Sequence, residues 1–378
     1  MNVLVTGGAG FIGSSLVRRL LKEGNEVSII DNLSPQVHGL HYALPRDLAE
    51  NVRFFNLDIR DTDRIREPIR RAHVIVHLAA ETGTGQSMYE LGRYESVNIG
   101  GTAALIECCV NHRPASLKTI VVASSRAVCG EGACRCEEHG VVYPSTRTMA
   151  DMAKGHFEPR CPKCNSFCSA TRTTEATPCN PGSFYGLTKQ VQEQMTLMFA
   201  RHLGIGAFAL RLQNVYGPGQ SLKNPYTGIL AIFANLARQG KDINVFEDGE
   251  ETRDFVYIED VVDAFCRCLR LETSATRILN VGSGKQTSVN EVVRAVTGHF
   301  KSDSRVKVTG HFRLGDIRHN VADISAAAEC IGYAPFWEFQ AGIAKFLAWA
   351  EEQPCEGGAY DRSLEEMRRR GLMGVGTQ

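Results

Sequence analysis

Thr6-Gly7-Gly8-Ala9-Gly10-Phe11-Ile12-Gly13 follows directly on the apolar residues Val3, Leu4 and Val5, and this glycine spacing leaves the chain few ways to proceed. A buried strand must turn sharply into a helix. In such a turn Gly7 permits the tight bend, Gly10 lets backbone approach a bound group without a Cβ in the way, and Gly13 lets the new helix lie against the strand. Phe11, Ile12, Leu16, Leu20 and Leu21 fall near helical spacing, and Gly24 stands where a left-handed C-cap would end the element. The helix start offers free N–H groups and partial positive charge, which suits a pyrophosphate. On its own the spacing also fits a plain strand-to-helix turn. The next apolar run, 26–30, ends in Asp31, about 20 residues past the loop, where a carboxylate accepts hydrogen bonds from adenosine ribose hydroxyls and repels a 2′-phosphate. The expected cofactor is therefore NAD in preference to NADP.

The pattern then repeats. A strand at 52–57 ends at Asp58-Ile59, a charged helical stretch begins at Asp61, and a fourth strand at 73–78 runs into Leu78-Ala79-Ala80. A helix over 89–112 precedes a buried strand at 118–124 that finishes in Ser124-Ser125. Strand and helix in alternation predict an α/β chain with a Rossmann-like, doubly wound parallel sheet, which binds ligands at the carboxyl ends of its strands. Gly7, Gly10, Phe11, Ile12, Gly13, Asp31, Asn32, Asp58, Ile59, Leu78, Ala79, Ala80 and Asn98 form the expected cofactor-binding set, joined by Tyr185 and Lys189. For Asp58 a loop cap, and for the Ala pair close packing, are the alternatives.

Periodicity breaks down over 130–182, which reads as an insertion rich in Cys, Pro and Thr, and resumes at Tyr185 with a helix to 203 and a strand at 207–212. We expect a first domain over 1–212 with this insertion, a smaller mixed α/β substrate domain over 213–353 with some segments returning to the first, and a tail over 354–378. Helices are expected at 229–237, 260–271, 289–300 and 339–349, with short strands near Ile243, Phe255, Ile278 and Val306. The tail carries Gly runs and Arg368-Arg369-Arg370 and reads as solvated or partly helical. Lys plus Arg and Asp plus Glu are 42 each, so no overall field draws the chain to nucleic acid or to acidic membrane. No apolar run approaches the roughly 20 residues of a membrane span, and no basic leader precedes the first strand; the cytoplasm is the expected location.

Tyr185 and Lys189 lie four apart on one helix, so the ammonium can sit near the phenol and favour its ionised form. Ser125 stands at a neighbouring strand end, and the three make a candidate set for taking a proton from a substrate hydroxyl as hydride leaves. With the glycine turn and Asp31, they resemble the extended short-chain dehydrogenase/reductase family, whose members modify nucleotide-activated sugars. The resemblance continues through Arg253-Asp254-Phe255-Val256-Tyr257-Ile258-Glu259-Asp260-Val261, Asn280-Val281-Gly282-Ser283-Gly284 and Gly315-Asp316-Ile317-Arg318-His319. It implies a nucleotide-diphosphate sugar as partner, with Asn214, Arg253, Arg313 and Asp316 holding diphosphate, nucleoside or sugar, and a homodimer as the assembly.

The related sugar 4,6-dehydratases carry an Asp-Glu pair after the hydroxyl residue, where this chain has Arg126 and Ala127, so dehydration is disfavoured. Epimerisation at C4 needs only the Ser-Tyr-Lys set. Ser34-Pro35-Gln36-Val37-His38-Gly39, Gly85-Gln86-Ser87-Met88-Tyr89-Glu90, Glu158-Pro159-Arg160-Cys161-Pro162-Lys163-Cys164 and Asn224-Pro225-Tyr226-Thr227-Gly228 resemble the dTDP-L-rhamnose 4-epimerases. Departures are Cys129 in place of Tyr, the bulky Arg126, Gln213 in place of an aromatic, and Lys223, which reads either as an acid for C3 or C5 epimerisation or as a phosphate or surface lysine. A 4-keto-sugar reductase and a nonenzymatic NAD-sensing scaffold are the other readings.

Cys136-x2-His139 and Cys161-x2-Cys164 have the spacing of a structural zinc site. Cys134 and Cys168 are near enough to replace a named ligand, and unbridged cysteines or a disulfide are the alternatives. All four positions would be filled by protein, leaving no place for a catalytic water.

Overall fold

Side chains along a strand point alternately to opposite faces, so a run that is apolar at every position belongs in a sheet covered on both sides. The computed structural model, which describes all residues except 41, 113, 223, 225, 227, 356–358 and 378, has a seven-stranded sheet whose central strands are buried in this way: β1 (Asn2–Thr6), β2 (Glu26–Asp31), β3 (Arg53–Asn56), β4 (Val74–His77), β5 (Thr119–Ser125), β6 (Gly206–Leu212) and β7 (Thr276–Val281). They pair in parallel in the order β7-β6-β5-β4-β1-β2-β3. Val3 and Val5 face one core with Leu16 and Leu20 of helix α1 (Phe11–Lys22), while Leu4 faces the other with Ile65, Leu105 and Leu197. The order reverses between β1 and β4, where diverging loops open a crevice at the strands' carboxyl ends.

The glycine turn is held at that crevice by contact. Gly7 has φ +70°, and a Cβ there would lie 2.7 Å from the Ala79 nitrogen; a Cβ on Gly13 would lie 2.3 Å from the Gly7 oxygen. Helix α2 (Phe184–Leu203) starts where Ser183 caps the Gly186 N–H and ends at Gly204 in the left-handed region. The region past 213 shares one continuous core with the α1 face of the sheet, through Leu230, Ala234, Val292 and Phe346 and through Phe265 of helix α3 (Ile258–Arg270).

Three expectations change. The helix expected over 89–112 starts at Leu91 and changes pitch part-way: one turn at Leu91–Tyr94, a π-helical turn at Glu95–Gly100 and an α-helix at Gly101–His112. Tyr94, Asn98 and Thr102, spaced four apart across this stretch, are each fully buried. The insertion builds a three-stranded antiparallel sheet, with Gly140–Val142 and Ser169–Ala170 flanking Cys134–Cys136. Its small core consists of Cys134, Cys136, Val142, Cys161 and Cys168. The tail is docked: helix α4 (Ala359–Arg369) buries Leu364 and Met367, and Met373–Val375 pairs antiparallel with His311–Arg313. Gly runs and basic residues hide that short apolar stripe from a periodicity reading. Among the described residues no helix is long and apolar enough to cross a membrane.

Gly13→Ala places a methyl group against the backbone of Gly7 and Gly8 and should destabilise the chain by about 1–3 kcal/mol through overpacking. Thermal unfolding followed by circular dichroism checks this, and an unchanged midpoint would show that α1 has room to move off the strand.

Candidate active site

The crevice is lined by the glycine turn, with Gly7, Gly10, Phe11, Ile12 and Gly13 along one side. No side chain caps the first turn of α1, so its N–H groups face the crevice with the helix dipole behind them. At the end of β2, buried Asp31 accepts from the Ala9 N–H at 3.0 Å and the Leu33 N–H at 2.9 Å, which aim the carboxylate beside the turn. His38 lies 3.6 Å from the same carboxylate and also lines the crevice, a neighbour that the spacing did not announce. Asn32 donates to Asp58 at 3.1 Å. Asp58 is held at a pKa of about 2, chiefly by hydrogen bonds from Arg60. Both line the crevice, as do Ile59, Leu78, Ala79 and Ala80.

Asn98 differs from expectation. Its amide is fully buried behind the wall, accepting from Glu81 N at 2.7 Å and donating to Glu81 O and to Thr188 Oγ1, so it fixes the loop after β4 to α2. Two glutamines were missed as a pair. Gln213 and Gln220 are buried, line the crevice, and among the described residues leave Oε1 without a hydrogen-bond partner. A dinucleotide fits these features: glycines and a helix start for the pyrophosphate, a carboxylate for ribose hydroxyls, and orphaned acceptors for a carboxamide N–H.

Ser125 ends β5, and its hydroxyl accepts from the Ala127 N–H at 3.2 Å. Tyr185 and Lys189, in the first turns of α2, line the crevice with it. Burial pushes the Tyr185 phenol up, against the hydrogen bond from Ser125 and the charge of Arg126, which pull it down. The spacing rule predicts the Lys189 ammonium beside that phenol, but Lys189 donates instead to Gln192 Oε1 at 2.7 Å, and burial lowers its pKa to about 7. Gln192 is itself tied to Thr102 Oγ1 at 2.7 Å, so a buried acceptor one turn along competes for the ammonium.

A second cavity opens on the other side of Tyr185. Asn214, Arg253, Arg313 and Asp316 all line it, with Arg126. Arg253 donates to Asp316 Oδ1 at 2.9 Å and to the backbone oxygens of Thr252, Ile317 and Arg318, so its guanidinium is fixed in place. Arg313 lies over the Phe246 ring at 4.6 Å. Asp316 stays low despite burial because Arg253, Arg313, Arg126 and Arg147 surround it. The tail supplies part of the wall through Tyr360, Ser363 and Met367, and Glu251 faces the same cavity, pushed up to about 8 by burial and by Glu247. No motif marked the tail residues. Lys223, Pro225 and Thr227 lie outside the described residues.

Tyr185 borders both cavities, one lined by a dinucleotide turn and one by arginines. Residues 3–282 match the NAD dependent epimerase/dehydratase family. The chain belongs to that family. It is 39% identical over 354 residues to the dTDP-L-rhamnose 4-epimerase of Burkholderia thailandensis, covering 93% of this chain and 95% of that protein. Among solved structures it is similar to the UDP-glucose 4-epimerase of Thermotoga maritima with UDP-glucose, at TM-score 0.74 and 28% identity over 93% of this chain and 99% of that one. The Thermus thermophilus UDP-glucose 4-epimerase in complex with NAD matches at TM-score 0.72 and 28% identity, covering 94% and 100%. NAD is the cofactor of this family member.

In the insertion, Cys136 Sγ lies 3.6 Å from both His139 Nδ1 and Cys164 Sγ, and Cys161 Sγ lies 3.7 Å from His139 Nδ1. The four ligand atoms all fall within 4.8 Å of one another. Cys134 and Cys168 stand in the adjacent core, outside that group, and burial raises their thiols to about 12 and about 11.

Asp31→Asn keeps the size of the side chain and removes its charge. In protein stripped of nucleotide, NAD affinity should fall about tenfold and discrimination against NADP should shrink, read by quenching of protein fluorescence. Unchanged discrimination would remove Asp31 from the ribose site.

Proposed function

We propose that this protein, an NAD-dependent nucleotide-sugar 4-epimerase, interconverts dTDP-L-rhamnose and its C4 epimer dTDP-6-deoxy-L-talose, or a closely related pair. The position of Tyr185 between the dinucleotide crevice and the arginine-lined cavity carries the reading. NAD, when bound, accepts a hydride from C4 and returns it. Tyr185 takes the C4 hydroxyl proton as its phenolate, Ser125 holds the same oxygen by hydrogen bond, and Lys189, held by Gln192, lines the cofactor side of the site. Asn214, Arg253, Arg313 and Asp316 bind the nucleoside diphosphate, where the prefixed guanidiniums suit phosphate oxygens. The oxidised sugar turns to present the other face of C4, and Tyr185 returns the proton to the C4 oxygen. Arg126 and Ala127 stand where a dehydratase needs an acid and a base, which supports an outcome without loss of water. The relative in Burkholderia thailandensis supports the sugar.

We also propose that Cys136, His139, Cys161 and Cys164 hold a structural zinc. A tetrahedral zinc with thiolate and imidazole ligands has ligand–ligand edges of about 3.5–3.8 Å. The observed separations support that geometry, and the insertion has little other core.

Incubation with dTDP-L-rhamnose and no added reductant should yield the C4 epimer by NMR; stoichiometric consumption of reduced cofactor on a 4-keto sugar would favour the reductase, and NAD binding with no turnover the scaffold. Tyr185→Phe should keep NAD binding and lose turnover by at least about 10²-fold. Near-normal turnover would reject Tyr185 as the base. Metal analysis of protein purified without a metal-binding tag should find about one zinc per chain, and Cys161→Ser with Cys164→Ser should release it and weaken sugar binding before NAD binding. Metal-free protein with full activity would end the zinc proposal.

A further inference from the structure

Arg126 follows Ser125 directly, and its guanidinium is committed at one nitrogen only. Nε donates to Asn214 Oδ1 at 2.9 Å. Among the described residues no hydrogen bond holds either terminal nitrogen, and the side chain lines the cavity that Tyr185 also lines. The nearby carboxylates have other partners: Asp316 accepts from Arg253 at 2.9 Å, and Glu131 from Arg147 at 3.1 Å and from the Arg318 N–H at 2.8 Å. Arg126 is half-buried at the cavity wall, and a guanidinium with donors left free there is placed to meet an electron-rich oxygen that arrives during function.

We propose that Arg126 hydrogen-bonds the sugar oxygen that Tyr185 deprotonates and supplies positive charge to that proton transfer. The inference rests on Tyr185 acting as the base. With Lys189 turned to Gln192, Arg126 is the cation whose field reaches the phenol, and it opposes the effect of burial there. In the step, the C4–H and O–H bonds break and C4=O forms. The proton goes to Tyr185, the hydride to NAD, and Arg126 keeps its protons and donates to the oxygen throughout. The developing negative charge on that oxygen is largest in the transition state, so the interaction belongs in kcat more than in KM.

The groups facing Arg126 come from several elements: Tyr185 on α2, Asp316 and Arg253 from the cavity wall, and Glu131 from the start of the insertion. Tyr94 meets the Tyr185 ring edge-on at 6.4 Å, and Lys189 shares its helix. All are common to the variants below and cancel in the comparison.

The test is an ultraviolet difference titration of the phenol in holoenzyme, with Tyr185→Phe as the blank, for the unaltered protein, Arg126→Met and Arg126→Lys. Removing the cation raises the phenol pKa, so in Arg126→Met the titration should move to higher pH by about one unit. The rising limb of kcat/KM against pH should move with it. Turnover should fall at least about tenfold with less change in KM, dTDP and NAD should bind as before, and Arg126→Lys should restore part of the shift. An unmoved phenol titration with weakened dTDP binding would overturn the proposal and assign Arg126 to the diphosphate. Unchanged titration and binding would overturn it outright. If the unaltered protein turns over no nucleotide sugar, the 4-epimerase reading fails, while the titration still decides whether Arg126 acts on the phenol. Should Arg126→Met not fold, Arg126→Gln removes the same charge with a polar side chain.

Discussion

The reaction centre depends on one buried ion pair. Arg211, on β6 and almost wholly buried, donates to Glu193 of α2 from Nη2 at 2.8 Å and from Nε at 3.1 Å. Ser124 of β5 gives its hydroxyl proton to the same carboxylate at 2.8 Å, and Arg211 reaches the Glu175 oxygen, Cys129 and Cys179 at the two ends of the insertion. One cluster thus joins the strand that ends in Ser125, the helix that carries Tyr185 and Lys189, and both limbs of the inserted segment. Such a pair adds little net stability over apolar packing, but loss of either partner would strand a charge at a cost of about 3–5 kcal/mol. Its use is alignment: the strand end and the helix start cannot slide past one another without breaking it.

A second charged network does the same for the outer wall. Arg147, from the insertion, donates to Glu131 and to Glu247, and Arg318 donates to Glu247, Asp248 and Glu158. The insertion is therefore fastened to the region around Arg253 and Asp316 by buried guanidiniums. The tail closes the circle, since Gly376 donates to the Gly310 oxygen and Thr377 to the Ala153 oxygen. Arg253, fixed by three backbone oxygens, needs no reorganisation to meet an oxyanion in the cavity it lines.

Local chemistry made much of this legible in the residues themselves. Gly7 and Gly13 tolerate no side chain where they stand, so their spacing carries the turn and the helix that follows. The alternation of apolar runs is a period, and a parallel covered sheet is what buries it. The cysteine and histidine pairs at 136, 139, 161 and 164 are each three residues apart, so spacing alone put two candidate side chains together, twice. What spacing could not supply was the partner across the fold. Asn98 lay in a helical stretch but meets Thr188 across the fold, and Lys189 lay four residues from Tyr185 but donates to Gln192.

By itself, then, the sequence determined the glycine turn, the order of strands and helices, the Ser125-Tyr185-Lys189 set and the two ligand pairs, because each follows from sterics or periodicity over a few residues. Only the tertiary structure decided that Arg211 meets Glu193, that Arg126 faces the arginine-lined cavity with two nitrogens uncommitted among the described residues, that Gln213 and Gln220 line the crevice together, and that Met367 and Tyr360 return from the tail to wall that second cavity. Those choices rest on burial and on which charge lies within reach of which across long stretches of chain, and such distances exist only after the core has closed.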